Sequence, residues 1–325
     1  MIYSAKKYYI IDYSFYIYNG SFGRKNPCKC SKMGPKGKLI ATNLECPMCD
    51  GKAWAFIQKD GVRTGGLFDV FNHIIKALTE GYTPILVFDP PKENLVRTDL
   101  LDSYKGNRKE TPEWITYQMD WGEKNLQYIE NIECYTALDQ ESDDVIATKS
   151  LELGNAGHKV VIAADDKDFF PTLKCKNVTM WRQKAWFTRQ SFIAKFGFDV
   201  DRWEEYLAII GDTADNYNLI KGLGDKAACD IIENYKSLDE MVADSWRRCN
   251  KRTTSAINKL VADIGLPKFK DELVRSLKLA QLNLEVDYIK LHPEPNRDFI
   301  EQELKRFGLQ QALNRMDLMF NTEQE

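Results

Sequence analysis

Acidic residues in this sequence are concentrated in five segments that lie far apart along the chain. QESDDVIA (140–147) carries three carboxylates within four positions, and DDKD (165–168) and GDTAD (211–215) carry further groups. One acid would be enough to stabilise a helix N-terminus, so helix stabilisation alone does not explain the triplet. We interpret these acids as one site with nine members: Asp12, Asp89, Glu141, Asp143, Asp144, Asp166, Asp168, Asp212 and Asp215.

A cleft that holds nine carboxylates predicts metal chemistry. Like charges in one cleft repel, and several of these groups would have to bind protons unless cations neutralised them. Oxygen-only ligation suits Mg²⁺ or Mn²⁺ rather than zinc, and none of the three histidines (His73, His158, His292) belongs to the set. Two such ions about 4 Å apart would stabilise both oxygens of a phosphodiester displacement. We predict metal-dependent phosphodiester hydrolysis.

Short apolar segments explain how distant acids can meet. They cover residues 8–11, 85–88 and 159–164, and each ends next to an acid. Apolar runs of this length are typical of buried parallel strands. Because ligands bind at the carboxyl ends of parallel strands, we expect Asp12, Asp89 and Asp166 to converge on one edge of the sheet.

Helical patterns alternate with these strands at 67–81, 114–129 and 143–157, which predicts an α/β fold with helices on both faces of a mainly parallel sheet. After residue 200 helical patterns dominate. The expected domains are a core at 1–200, with a cysteine insert at 28–52 and a basic helical segment at 92–120, then a helical domain at 201–290 and a helical tail at 291–325.

Composition fits a soluble globular protein, with 43% hydrophobic and 29% charged residues among 325. The net charge of −3 alone argues against nucleic-acid binding, but without the nine acids the remaining 39 face 45 basic residues, a net charge of +6. No apolar run is long enough to span a membrane, and the first residues do not resemble a signal peptide. We expect a cytoplasmic protein.

The cysteine insert holds Cys28, Cys30, Cys46 and Cys49 in two close pairs separated by fifteen residues. This pattern predicts a structural, zinc-ribbon-like site, and free thiols are the alternative. The insert also carries several lysines, which suggests contact with nucleic acid. The other four cysteines are scattered singly, as reduced core thiols are.

The order of the motifs resembles the 5′→3′ exonuclease and flap endonuclease family, of the bacteriophage type and similar to the 5′-nuclease domain of bacterial DNA polymerase I. The motifs are IIDYS (10–14), VFD (87–89), YKGNRK (104–109), ESDDVIA (141–147), DDKD (165–168) and GDTADNYNLIKGLGDKAA (211–228). The resemblance implies a PIN-like nuclease core, a helix-three-turn-helix domain and two-metal cleavage of DNA flaps or RNA primers in replication, including ribonuclease H-like primer removal.

Site residues follow from the resemblance position by position. One metal would be held by Asp12, Asp89, Glu141 and Asp143, and the other by Asp144, Asp166, Asp168, Asp212 and Asp215. Lys105 and Arg108 of YKGNRK would stabilise transition-state charge. Nucleic acid would contact Tyr104, Lys109, Lys221, Gly222, Gly224 and Lys226, the last four in a hairpin whose backbone N–H groups meet phosphate.

Two features depart from the family pattern. Asn218 and Leu219 stand where relatives commonly have Pro-Gly, and Asp165 is an extra acid, although the DKD spacing favours Asp166 and Asp168 as ligands. The expected partners are branched or nicked duplex DNA, a 5′ flap and RNA–DNA hybrid, with a polymerase and a single-strand-binding protein as candidate protein partners of a monomer. A PIN-type ribonuclease for single-stranded RNA and a catalytically inactive DNA-binding homologue are the alternatives.

Overall fold

A seven-stranded sheet lies at the centre of the computed structural model, which describes residues 5–321 except 36–37, 47, 49–51, 61, 91–108, 214 and 218–219. The strands are β1 (Lys7–Asp12), β2 (Lys25–Pro27), β3 (Ser31–Met33), β4 (Leu39–Ala41), β5 (Trp54–Phe56), β6 (Gln58–Lys59), β7 (Val62–Arg63), β8 (Thr83–Phe88), β9 (Glu133–Ala137), β10 (Lys159–Ala163), β11 (Val178–Arg182), β12 (Ala185–Phe187) and β13 (Tyr288–Leu291).

Helices surround the sheet. They are α1 (Tyr13–Gly23), α2 (Gly65–Thr79), α3 (Glu113–Asn125), α4 (Ser142–Asn155), α5 (Arg189–Phe196), α6 (Trp203–Ile210), α7 (Asp225–Asn234), α8 (Leu238–Ala243), α9 (Lys251–Ile264), α10 (Leu266–Ala280), α11 (Arg297–Phe307), α12 (Gln310–Leu313) and α13 (Met316–Phe320). Short 3₁₀ segments cover Leu126–Tyr128, Phe170–Lys174 and Val200–Arg202.

The sheet has the order β12-β11-β10-β1-β8-β9-β13. Its five inner strands are parallel, and β12 and β13 are antiparallel at the edges. Alternate residues of β1 enter opposite cores: Tyr8 and Ile10 pack on one face, and Tyr9 and Ile11 on the other. This burial on both faces explains why the central strands are apolar throughout. The predicted α/β fold with a mainly parallel sheet is confirmed.

Two helical layers cover the faces. Residues of α1, α2, α3 and α11 to α13 form one core, and residues of α4 to α10 contribute to the other. The chain therefore leaves the sheet after β12, builds a helical region, and returns to the opposite edge through β13. Residues after 287 thus belong to the sheet and to the layer of α2, not to the helical region that precedes them.

Candidate metal centre

The carboxyl edge of the parallel strands gathers the acids from different parts of the chain. Asp12 ends β1 and lies level with Val87 of β8, while its neighbour Ile11 is level with Ala163 of β10. Asp89 and Asp166 follow those two strands within three residues of these positions. The strand register thus brings three sequence-distant carboxylates to one crevice, as the sequence pattern predicts.

Asp12 has two roles at this edge. It is the N-cap residue of α1, where its Oδ1 accepts a 3.0 Å hydrogen bond from the Phe15 N–H. It is also buried, with 6% of its surface exposed. Burial, followed by the charges of Asp166 and Asp89, raises the pKa of Asp12 to about 7, although the Phe15 N–H opposes this shift. Near neutral pH the Asp12 carboxyl group is therefore partly protonated unless a cation displaces the proton.

The start of α4 connects the acid triplet to the crevice. Asp89 accepts a 2.9 Å hydrogen bond from the Ser142 N–H and a 2.8 Å bond from the Ser14 hydroxyl. Glu141 is the buried N-cap residue of α4, and Asp143 lies in the first turn with partial exposure. Because the helix begins between Glu141 and Asp143, residues two positions apart can both face the same region.

Asp144 occupies a different environment within the same turn. It is fully buried, and its Oδ1 accepts a 2.8 Å hydrogen bond from the Asn283 N–H, in the segment that follows α10. This contact ties the first turn of α4 to the helical region. If Asp144 binds metal, it must do so while its Oδ1 accepts the hydrogen bond from Asn283.

The turn after β10 supplies the densest charge. The Asp168 N–H donates a 2.9 Å hydrogen bond to Asp166 Oδ1. Burial and then neighbouring carboxylates, Asp215 and Asp212 among them, raise the pKa of Asp166; burial and then Asp166 raise that of Asp168 well above its usual range. Asp168 Oδ1 is buried and accepts no hydrogen bond within the described part of the chain. A buried carboxylate oxygen of this kind suits coordination to a hard cation.

Asp212 and Asp215 approach from the loop after α6. Asp212 pairs with Tyr217 in an isolated β-bridge, which folds the loop back on itself. Both acids are buried, with 5% and 9% of their surfaces exposed, and both act electrostatically on Asp168. The structure thus brings Asp12, Asp89, Asp166, Asp168, Asp212 and Asp215 into mutual electrostatic range.

Two basic residues near the acids were not predicted from the sequence. Lys167 Nζ lies 2.7 Å from Asp212 Oδ2, so it offsets part of the negative charge. Arg182, at the end of β11, donates a 2.9 Å hydrogen bond to the Asp165 carbonyl and lies 3.4 Å from the Asp165 carboxylate. The position of Lys167 between two acids could have signalled its role, whereas Arg182 carries no local signal. The extra acid Asp165 therefore has a role of its own, as the ion-pair partner of Arg182.

The predicted nucleic-acid residues are only partly covered. Tyr104, Lys105 and Arg108 lie outside the described residues, and Lys109 is exposed four residues before α3. The hairpin before α7 is covered in part. Gly222 has a φ of +96°, a conformation that favours glycine, and Gly224 is the N-cap residue of α7.

A cleft of about 400 Å³ lies beside this hairpin. Lys226 in the first turn of α7 and Arg252 in the first turn of α9 both line it, together with the two hairpin glycines. Lys221 is exposed at the start of the hairpin. Two helix N-termini and these basic side chains can together bind an anion such as a phosphate group.

The cysteine insert forms a small cluster of its own. Cys28 Sγ and Cys46 Sγ are 3.7 Å apart, and the sulfurs of Cys28, Cys30 and Cys46 all lie within 4.8 Å of one another. Thiolates about 2.3 Å from a tetrahedral zinc ion are about 3.8 Å apart, so the spacing fits zinc. Cys49 lies outside the described residues, and none of the described cysteines forms a disulfide.

Comparison with protein families gives a match over residues 51–197 to the 5′-3′ exonuclease N-terminal resolvase-like domain. The chain is 28% identical over 244 residues to a 5′-3′ exonuclease of Aquifex aeolicus, which covers 73% of this chain and 78% of that protein. It is also 28% identical over 248 residues to DNA polymerase I of Rhizobium leguminosarum, covering 72% of this chain and 24% of the relative. The chain thus spans about a quarter of the length of such polymerases.

Solved structures show the same fold. The T5 D15 protein, crystallised with metal ions, matches 96% of this chain with a TM-score of 0.59 and 15% identity. The catalytic core of Rad2 in complex with a DNA substrate matches 96% of it with a TM-score of 0.53 and 17% identity. Among the described residues, every helix is too short or too polar to cross a bilayer.

Proposed function

We propose that this chain is a structure-selective 5′→3′ exonuclease and flap endonuclease that depends on divalent metal ions. Residues 51–197 match the 5′-3′ exonuclease N-terminal resolvase-like domain, which supports this proposal. The observation that carries the proposal is the convergence of carboxylates from five segments on the carboxyl edge of one sheet. A structural role would not bury so many like charges together.

The metal ions of the proposal are two Mg²⁺ or Mn²⁺. Asp12, Asp89, Glu141 and Asp143 would hold one of them. The other would be held by Asp144, Asp166, Asp168, Asp212 and Asp215. Bound divalent ions would stabilise charge on the attacking and leaving oxygens of the phosphodiester. Carboxylate oxygens are the ligands that such hard cations prefer, and the buried Asp168 Oδ1 supports this set.

The chain itself would position the substrate. Lys105 and Arg108 would stabilise the developing negative charge of the phosphate, and Tyr104 would stack on a base or sugar. Lys109, Lys221 and Lys226 would contact backbone phosphates. Because the hairpin offers backbone N–H groups and cations rather than groups that read base edges, binding would depend on duplex shape and not on sequence.

The substrates of the proposal are nicked or branched duplex DNA, 5′ flaps and RNA–DNA hybrid. The T5 D15 flap endonuclease and human GEN1, which share the fold, were solved in complex with DNA and with Holliday junction DNA, respectively. We place the chain in the cytoplasm as a monomer that acts beside replication proteins such as a polymerase or a single-strand-binding protein.

A structural zinc ion completes the proposal. Cys28, Cys30, Cys46 and Cys49 would hold it, since three of their sulfurs already have the spacing of a zinc thiolate site. Ser31 and Thr42 support the cluster, because their N–H groups donate to the carbonyls of Cys28 and Cys30 at 2.8 and 2.7 Å. Such a site would stabilise an insert that has little hydrophobic core of its own.

Cleavage of a defined substrate panel tests the function. A 5′-labelled flap, a nicked duplex, an RNA–DNA hybrid and single-stranded RNA would each be incubated with and without Mg²⁺. We expect Mg²⁺-dependent cutting of the flap, the nicked duplex and the hybrid, and its loss in Asp143→Asn while duplex binding survives. Cutting of single-stranded RNA alone would favour a PIN-type ribonuclease, and binding without any cutting would favour an inactive homologue.

A further inference from the structure

The cysteine insert and its flanking strands form a basic module on an otherwise acidic chain. Residues 24–63, called the insert module here, contain nine basic and three acidic residues, a net charge of +6, whereas the whole chain carries −3. Four thiolates with one zinc ion would add −2 and leave +4. We propose that the insert module is a second nucleic-acid contact, which binds substrate phosphates beyond the metal centre. This inference deepens the proposed function and rests on it.

The module has a rigid base. Strand β2 pairs with β5, and the Ile57 N–H donates to the Arg24 carbonyl at 3.2 Å. Arg24 also lies 2.5 Å from Asp69 in the first turns of α2. The two arms of the module are therefore paired with each other, and Arg24 ties them to α2, so its charges have a defined position relative to the nuclease core.

An aromatic stack connects the module to α3. The Arg63 guanidinium lies 3.9 Å from the ring centre of Phe56 and 4.2 Å from that of Trp114. Trp114 is in the first turn of α3, five residues after Lys109 at the end of YKGNRK. Nucleic acid that contacts Lys109 would therefore pass beside the insert module.

Gln118 fixes the same helix to the start of α2. Its Oε1 accepts hydrogen bonds from the N–H groups of Gly66 and Leu67 at 3.1 and 3.2 Å, and its Nε2 donates to Ser21 at 2.9 Å. Helices α1, α2 and α3 are thereby held together at the point where the module leaves the core.

The length of α1 sets the distance from the metal centre. The helix starts directly after Asp12 and has 11 residues, so its rise of about 1.5 Å per residue places the base of the module roughly 16 Å from Asp12. Successive nucleotides of one strand of B-DNA are about 3.4 Å apart along the axis. The phosphates that the module contacts would therefore lie about five or more nucleotides away from the cleaved bond.

Charge decides between nucleic acid and a protein as the occupant. Lys29, Lys32 and Lys38 are all exposed. The module also has exposed apolar side chains: Met33 follows Lys32 and Leu44 comes after Lys38, with 68% and 78% of their surfaces exposed. These apolar groups alone would suit a protein, but interspersed lysines with a net positive charge suit a polyanion.

Salt-dependent binding tests this proposal. The dissociation constant of the full chain for a nicked duplex and a flap would be measured from 50 to 300 mM salt without added divalent ions. The triple variant Lys29→Gln/Lys32→Gln/Lys38→Gln would be compared with Lys6→Gln/Lys159→Gln/Lys176→Gln, whose three exposed lysines lie at the opposite edge of the sheet. The double variant Lys32→Gln/Lys38→Gln leaves Cys-Lys-Cys unchanged, so any effect it shows cannot come from disturbance of the cysteine cluster by the Lys29 substitution.

Each lysine that contacts a phosphate adds about 0.9 to the slope of log K against log salt. We expect the slope of the insert triple variant to fall by roughly 2 to 3 and its dissociation constant at 100 mM salt to rise at least about tenfold. The double variant should show about two thirds of that change in slope, and the control variant none. On substrates with fewer than about five nucleotides on one side of the cleavage site, the wild type and the insert variants should bind equally well.

The outcomes separate the two proposals. Unchanged slopes in the insert variants, with normal Mg²⁺-dependent cleavage, would overturn the nucleic-acid contact and leave the nuclease function intact. An equal loss on substrates of every length would overturn the placement of the module. If the wild-type chain binds substrate with the expected loss in the insert variant but never cleaves, the contact stands and the proposed activity fails. A wild-type chain that binds no nucleic acid would overturn both.

Discussion

The Asp12→Asn substitution should affect cleavage and stability in opposite directions, because the Asp12 carboxylate is expected to bind metal but destabilises the metal-free fold. The asparagine side chain keeps an oxygen that can accept the Phe15 N–H, so the N-cap of α1 survives. It carries no charge, however, and cannot supply a carboxylate ligand. We expect the variant to lose Mg²⁺-dependent cleavage and, without metal, to be more stable than the wild type at alkaline pH.

The size of the effect follows from the pKa of Asp12. A rise from 3.8 to about 7 is about 3 pKa units, or about 4 kcal/mol as an upper bound. Because the folded state keeps the proton that the unfolded state releases, the stability of the wild type falls as the pH rises from about 4 to about 7. We expect Asp12→Asn to exceed the wild type by about 2–4 kcal/mol at pH 8 and by about zero at pH 4.

Urea unfolding in EDTA at pH 4, 6 and 8 measures this difference. Asp12→Ala removes both the charge and the cap, so it should gain about 0.5–2 kcal/mol less than Asp12→Asn. Asp60→Asn is a control, because the Asp60 side chain is 82% exposed and its positive φ of 48° suits asparagine. Addition of Mg²⁺ should stabilise the wild type more than Asp12→Asn. Equal stability of the two at pH 8 in EDTA would refute the account of a strained carboxylate cluster.

Three further predictions concern the supports of the site. Gln118→Leu leaves the N–H groups of Gly66 and Leu67 without their acceptor, and it should cost about 2–4 kcal/mol in urea unfolding; a loss below 1 kcal/mol would contradict this. Burial lowers the pKa of His73 to about 4, so the unfolded chain binds a proton first as the pH falls below about 6.5, and stability is lost down to about pH 4. Between pH 7 and pH 5 the free energy of unfolding of His73→Gln should therefore fall by about 2 kcal/mol less than that of the wild type. Parallel pH profiles of the two proteins would contradict the lowered pKa of His73. Cys46→Ser should lower the zinc content from one ion per chain to near zero by metal analysis, whereas Cys134→Ser, in the buried sheet, should retain it.

Much of the fold is readable from the sequence because local patterns record burial on both faces of a strand. The apolar runs at 8–11 and 85–88 lie in β1 and β8, and the run at 159–164 covers β10, which ends one residue earlier. The predicted helix at 143–157 is α4, with bounds Ser142–Asn155. Strand β9 was not predicted, because its sequence ECYTA mixes polar and apolar residues and its neighbours decide its conformation.

Spacing and motif order were enough to propose the nine acids as one site, but they do not reveal the environment of each acid. Asp12 and Asp144 look alike in sequence, yet one caps a helix beside the crevice and the other accepts a backbone N–H from Asn283, 139 residues further along the chain. Arg182 likewise reaches Asp165 from the next strand, a contact that only the strand pairing creates.

The sequence by itself determined which groups are available to bind metal and which segments can be buried, because residue types and short-range spacing fix both. The tertiary structure decided how those groups are charged and held. Strand register sets the separation of Asp12, Asp89 and Asp166, and burial raises the pKa of Asp12 and of Asp166. Both depend on contacts between residues far apart in the chain, and no local pattern records them.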